Sequence, residues 1–532
     1  MPVGGVEPLL SAVSARLRPL EIDANEAWWL ASTQVSDQHE RRRVSTDIAL
    51  RDALGDVVIF GQLRDAIASD EFRAGAGDPL VRRQIEVLYD RTLPQQVPAD
   101  LRAQLVEVEA DVDGTFNAFR GRIHGEAVDD NTISRILRTS HDSAERQRAW
   151  EASKQVGDEV AVRVTELARL RNRAAQHLGH RDHFAMALAT NELDETRLFE
   201  TLDEVEQATD APFAEWKAEL DETLAGRFGC AVDALRPWHY DDPFFQDPPR
   251  AGAVSLDQWL EPADLDALTI RTYDGVGLDV RDALNRSDLL PRAGKSQHAF
   301  CIDVDHAGDV RVLSNNRPSE YWAGTMLHEF GHAAYDIGVD RDLPWLLRNM
   351  HSLTTEGIAM LFGRLVRDVE WLGAVAGVSA PDLEELAPKL ERARRASLLT
   401  FARWVLVMTH FERSLYADPD ADHTDRWWEL VARFQRIQRP DGRTAPDWAA
   451  KIHVALAPVY YQNYLYGELV ASQLQATLRD RFGGIVDRPE AGAFLAEQLF
   501  APGLAVRWDA LIERVTGEPL TVRHLAAELQ DR

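Results

Sequence analysis

Between residues 97 and 230 apolar side chains recur three and four positions apart among Ala, Glu, Arg and Leu, with few prolines or glycines between them. That spacing draws one apolar stripe along a helix of 3.6 residues per turn and cannot serve a strand, whose faces alternate at every residue. Gly179 and Pro212 read as isolated breaks. The pattern stops at 236–252, RPWHYDDPFFQDPPRAG, where four prolines and several aromatics predict an irregular crossing segment. It resumes beyond and runs to the end, except at Ala299–Leu313. There AFCIDVDHAGDVRVL alternates around an Ala-Gly-Asp turn and predicts a short β-hairpin. The expected fold is all-α with one small sheet. Although 532 residues would allow three or four domains of about 150, no low-complexity linker divides them. One domain over 1–532 is expected, with approximate sub-lobes 1–295 and 296–532.

Composition narrows the function. Lys and Arg number 59 against 87 Asp and Glu, a net charge of −28, and such a field repels nucleic acid and anionic membrane. No run of about 18 apolar residues occurs, so no membrane span is expected; Leu398–Met408 is too short and contains Arg403. The first residues, MPVGGVEPLLSAVSARLRPL, lack a basic segment followed by an apolar run. Cys230 and Cys301 are the two cysteines, which favours a reducing compartment, and a cytoplasmic location is the expectation.

Residues 328–332 read HEFGH. On a helix His328 and His332 face the same way, and two imidazoles there can hold one Zn²⁺. Glu329 lies about 100° round the helix, badly placed as a third ligand but in reach of the water to be activated, where it serves as general base. Ser319 and Glu320 after Pro318 are start signals for this helix, with Trp322, Met326, Leu327 and Phe330 as its apolar positions. A catalytic zinc takes three protein ligands and keeps one open position. Glu356, 24 residues after His332, suits the third place on a returning helix that Thr354 or Thr355 would cap, with Glu356 in its first turn. A third segment, KIHVALAPVYYQNY at 451–464, gathers Lys451, His453, Tyr460, Tyr461 and Tyr464. Neutral His and Tyr donors stabilise an oxyanion and a Lys pairs with a carboxylate; equally, the segment reads as an aromatic core strip with a surface lysine.

Other groups read more plainly as structure. His177, His180 and His183 lack carboxylate or thiol support and straddle a helix end at Gly179. Trp238, His239 and Tyr240 suit either a channel lining or a packed crossover. Cys301 reads as a small buried hydrophobe, and Asp129-Asp130 and Asp241-Asp242 as solvated loops.

These motifs together resemble the angiotensin-converting-enzyme family of zinc peptidyl-dipeptidases, with some likeness to thimet-type oligopeptidases. The likeness runs through AWEASKQVG at 149–157, GDVRVL at 308–313, HEFGH with DLPWLLR at 342–348, WWELVARFQ at 427–435, KIH at 451–453 and TGEPL at 516–520. It implies a helical ellipsoid of two lobes around a deep channel. It implies His328, His332 and Glu356 as ligands of one zinc ion and Glu329 as general base. His453 and Tyr464 match the pair that hydrogen-bonds the transition-state oxyanion. Lys451 matches the residue that binds the substrate's C-terminal carboxylate, helped by Tyr460 or Tyr461. His298 and Ala299 look similar to the stretch whose backbone pairs with the extended peptide.

The chain departs from that family in three places. The family often has an Asp four residues after its glutamate ligand, orienting a zinc histidine; here Met360 stands there, and another partner must take over. The family's chloride-binding arginines are replaced by Val431 and by Gln462 or Asn463, so no chloride activation is expected. The step from His453 to Tyr464 is one residue longer than in converting enzyme. The expected function is a cytoplasmic zinc metallopeptidase that releases dipeptides from the C-termini of short peptides. The alternatives are an oligoendopeptidase of the thimet type, a zinc-dependent tailoring enzyme for one metabolite or peptide precursor, and a catalytically silent peptide-binding protein, against which the intact HEFGH and Glu356 argue.

Overall fold

A computed structural model of the protein describes residues 5–249 and 254–530. The last residues of the expected crossing segment, 250–252, and the first four of the chain lie outside the described residues. Helices dominate, and seven of them carry the argument: α1 (Glu7–Thr33), α2 (Ser143–His177), α3 (Glu195–Phe228), α4 (Glu320–Gly338), α5 (Ser352–Gly363), α6 (Ala380–Ala417) and α7 (Tyr461–Phe482). Their ends follow local chemistry. Asp142 accepts from the Ala144 N–H at the start of α2, and Asp194 from the Arg197 N–H at the start of α3. Gly229 closes α3 in the left-handed conformation, φ 62°, where a side chain would be strained. Pro212 does not break α3 as expected; the helix runs through it, with Thr209 and Phe213 buried on either side. Packing of that apolar stripe offsets the one backbone hydrogen bond that proline removes.

Among the described residues two antiparallel hairpins are present instead of the single one expected. The expected one pairs β3 (Phe300–Asp303) with β4 (Val310–Leu313), Phe300 opposite Leu313 and Asp303 opposite Val310. The other pairs β1 (Gly121–Ile123) with β2 (Glu126–Val128) around His124 and Gly125, both at positive φ. Three residues per strand are too few to show alternation within a helical sequence, so this hairpin was hidden from the periodicity. Among the described residues no helix is long and apolar enough to cross a membrane.

The chain groups into two compact units that interleave along the sequence. The first comprises Met1–Gln96, Ser255–Leu390 and Tyr466–Leu525; the second Val97–Val254, Glu391–Leu465 and Ala526–Arg532. In the first, α4 and α5 pack as neighbours, and Tyr273 ties them: its hydroxyl donates to the Leu327 carbonyl (2.6 Å) while its ring stacks on Phe362 at 4.7 Å. In the second, the crossing segment is a packed aromatic corner. Trp238, His239 and Tyr240 are buried, which settles them as core. Asp241 is no solvated loop residue: it is buried and accepts from Arg146 (2.7 Å), whose guanidinium is 0% exposed and also donates to the Trp238 carbonyl. Asp129, by contrast, is exposed and accepts from the Thr132 N–H to cap a helix.

Removing one partner of a buried ion pair strands the other. Asp241→Ala is therefore expected to lower unfolding free energy by about 3 kcal/mol, read from urea denaturation.

Candidate metal centre and supporting residues

The candidate metal ligands all lie in the first unit. Ser319 caps α4 by accepting from the Trp322 N–H, as expected. Along α4, Met326, Leu327, Phe330 and Ala333 are buried, which fixes the helix's rotation and leaves His328 and His332 half-buried together on one side. Their rings stand 5.0 Å apart and nearly perpendicular. The start of α5 differs from expectation. His351, not Thr354 or Thr355, is the cap, its ring accepting from the Leu353 N–H, so Glu356 falls in the second turn rather than the first. Both threonine hydroxyls are used elsewhere.

Glycine lets the two helices meet. A Cβ on Gly331 would lie 2.9 Å from the Ala359 Cα, closer than atoms pack. On the opposite side of α5, a Cβ on Gly357 would lie 2.3 Å from the Val470 side chain of α7. Pressed between α4 and α7, α5 carries Glu356 to the histidines: one carboxylate oxygen is 3.8 Å from the His328 Nε2. One donor atom from each of His328, His332 and Glu356 lies within 4.8 Å of the others, the single such group among the described residues. Donors about 2.1 Å from a tetrahedral ion sit about 3.4 Å apart, so two imidazoles and a carboxylate at this separation fit Zn²⁺.

The ring nitrogens facing away from that convergence are also held. The His332 Nδ1 is 2.6 Å from the Thr355 hydroxyl, and His328 hydrogen-bonds the Ala359 carbonyl. Each bond fixes a ring and leaves the other nitrogen for a metal. Thr355 and the Ala359 carbonyl thus fill the orienting role that Met360 cannot. Burial pushes His328 down to about 4 and holds His332 well below its ordinary value, so both imidazoles are neutral and able to ligate. Glu329 is 8% exposed; burial, then the nearby Glu356 charge, pushes its carboxyl up to about 8. A divalent cation at the trio favours both carboxylates in their ionised forms.

The lysine, histidine and tyrosines of 451–464 lie in the second unit. Lys451 is not a surface residue. It is 8% exposed, with its ammonium 5.4–5.5 Å from the ring centres of Phe244, Trp404 and Tyr461 and donating to the Gln246 side-chain carbonyl (2.9 Å). Burial pulls it down to about 8, opposed by Asp242 and Asp247. Its immediate neighbours are neutral, and among the described residues no carboxylate comes within ion-pair distance of it. His453 is pushed down to about 4 by burial and by Lys451, so it is a neutral imidazole. Its ring is 4.9 Å from Tyr461, and Tyr464 packs on Tyr460 and Tyr461.

Sequence reasoning missed what holds this segment. Val459 has φ 56°, a costly conformation for a β-branched residue. Its N–H donates to the buried carboxyl of Glu412 (2.7 Å), and its carbonyl accepts from the Gln462 amide (2.5 Å). Arg171 of α2 donates to the Ala455 carbonyl. A glutamate and an arginine among the apolar positions of long helices were the available signals.

Of the remaining candidates, His298 is exposed and Ala299 half-buried, immediately before β3. The Cys301 thiol meets the Asp336 carboxyl (3.7 Å), and its pKa is raised by burial. α2 ends at His177 and Gly179 takes φ 86°, while His183 packs on Tyr416, so this histidine group is structural.

Residues 6–219 match the family model described as peptidase M2, angiotensin-converting enzyme. The likeness read from the motifs is borne out over that stretch, and the match supports a peptidase. The matched stretch is less than half of the chain and ends before HEFGH. No curated protein matches the chain.

Thr355→Val keeps shape and removes the hydroxyl. It is expected to weaken Zn²⁺ binding by about 10–100-fold in chelator competition, with thermal unfolding of the metal-free protein little changed.

Proposed function

We propose that the protein is a zinc metallopeptidase that hydrolyses short peptides and releases dipeptides from their free C-termini. The convergence of His328, His332 and Glu356 beside Glu329 carries this reading; the family match supports its peptidase part. Those three residues would hold the ion. Zn²⁺, when bound, polarises the scissile carbonyl and acidifies water.

The protein's own groups supply the remaining roles. Glu329 takes a proton from the attacking water and passes it to the leaving amine. His453, as a neutral donor, and the Tyr464 hydroxyl stabilise the oxyanion. Lys451 pairs with the terminal carboxylate, for which its ammonium has a neutral amide partner to exchange. Tyr461, whose ring is 5.5 Å from the Lys451 ammonium, is the better companion than Tyr460. His298 and Ala299, leading into β3, align the peptide backbone.

The longer spacing from His453 to Tyr464 favours one second reading, an oligoendopeptidase indifferent to the C-terminus. Digests of mixed short peptides, each as free acid and as amide, separate the two. Loss of dipeptides from the free acids alone is expected. Glu329→Gln should reduce the rate by about 10²–10⁴-fold, and Lys451→Met should raise KM for free acids by about tenfold or more while leaving amides unaffected. Internal cuts in both sets would establish the endopeptidase instead. Absence of any Glu329-dependent cleavage by zinc-loaded protein would overturn the peptidase reading and favour one dedicated substrate.

Chloride should not matter. Val431 offers no charge, and the Gln462 amide is committed to the Val459 carbonyl. kcat/KM is expected to be equal in chloride and chloride-free acetate buffers.

A further inference from the structure

The sheet of β3 and β4 has one closed edge and one open edge. Asp288 bridges to Leu313 on the far side of β4. Among the described residues the backbone of Phe300–Asp303 bonds to β4 alone. Such an edge offers a row of outward N–H and C=O groups that an extended chain completes.

The two faces of β3 meet different helices. On one, Cys301 touches Asp336 of α4, one turn beyond His332, and lies close enough to Glu329 to feel its charge. On the other, Phe300 stacks on Trp28 of α1 with ring centres 4.5 Å apart and planes 13° apart, while Trp29 meets it edge-on at 6.1 Å. The run into β3 is tied to the end of α1: the Ser296 N–H donates to the Ser32 carbonyl and the Val35 N–H to the Gly294 carbonyl. Trp29 and Ile302 are buried in a small core with Val304 and Leu313. Trp28 is 41% exposed, an indole held flat on Phe300 with much of its surface in water.

We infer that Trp28 and Phe300 form the aromatic wall of a side-chain site for peptides lying along the open edge of β3, selecting aromatic or large aliphatic residues at alternate positions. This rests on the peptide reading above. Successive side chains of an extended chain point to opposite faces. Every second side chain of such a peptide therefore turns toward α1, where the one opposite Phe300 has its Cβ about 4.5–5.5 Å away. The intervening side chains turn toward α4 and its histidines.

The test moves a single Phe through a short alanine-based free-acid peptide, with positions counted from the cleaved bond. Wild-type protein should prefer Phe over Ala by about tenfold in kcat/KM at alternate positions, the size of one added aromatic contact. Trp28→Ala should level that preference through KM, leaving the intervening positions unchanged, and Trp28→Phe should restore it. A preference untouched by Trp28→Ala, or lost equally at every position, would overturn the wall while the peptidase reading stands. Should wild-type protein cut no peptide, the peptidase reading fails by itself. Calorimetric binding of the same peptides to zinc-loaded Glu329→Gln protein, with and without Trp28→Ala, then decides. Alternating affinity that depends on Trp28 sustains the wall, and affinity without that dependence overturns it.

Discussion

The close approach of α4 and α5 is the contact on which the chemistry depends. Neither helix alone can gather three ligands, because residues four apart on one helix supply two and the next residue turns away. The third must come from a second backbone, and the Glu356 side chain is short. Gly331 admits Ala359 where any side chain would collide, and Gly357 lets α7 press from behind. Tyr273 then binds across both helices. The ligand geometry is thus set by backbone contact between helices, which is far stiffer than side-chain packing on a surface.

Around Lys451 the second unit solves a different problem, keeping a cation in an apolar setting without a paired carboxylate. Lys451 lies among ring faces and against an amide. An ammonium there is attracted by the rings' quadrupoles yet keeps its net charge available. His453 is neutral for the complementary reason: burial and an adjacent cation both oppose its protonation. The turn that launches α7 is held in a strained form by Glu412 and Gln462, so the positions of the tyrosines are fixed from outside the segment that contains them.

Much of this was legible in the sequence. HEFGH with Ser319 announced α4 and its paired histidines, and AFCIDVDHAGDVRVL announced the hairpin, because both depend on short-range periodicity and capping. What stayed hidden depends on partners far along the chain. Thr355 reads as a helix cap until His332 lies beside it. Asp241 reads as solvated until Arg146 is buried against it. Lys451 reads as a surface cation because nothing local shows Phe244 and Trp404 around it. Gly331 gains its purpose only from the neighbouring helix, whose Ala359 backbone it admits.

The hydroxyl and the carbonyl behind the two imidazoles have a consequence of their own. A carboxylate in the orienting place is a titratable latch: acid protonates it and its grip on the ring changes. Thr355 and the Ala359 carbonyl carry dipoles, which no proton removes over the range in which proteins live. The aim of both rings is therefore held by groups that acid does not switch, and acidity reaches the pair only through the lone pairs the rings themselves present.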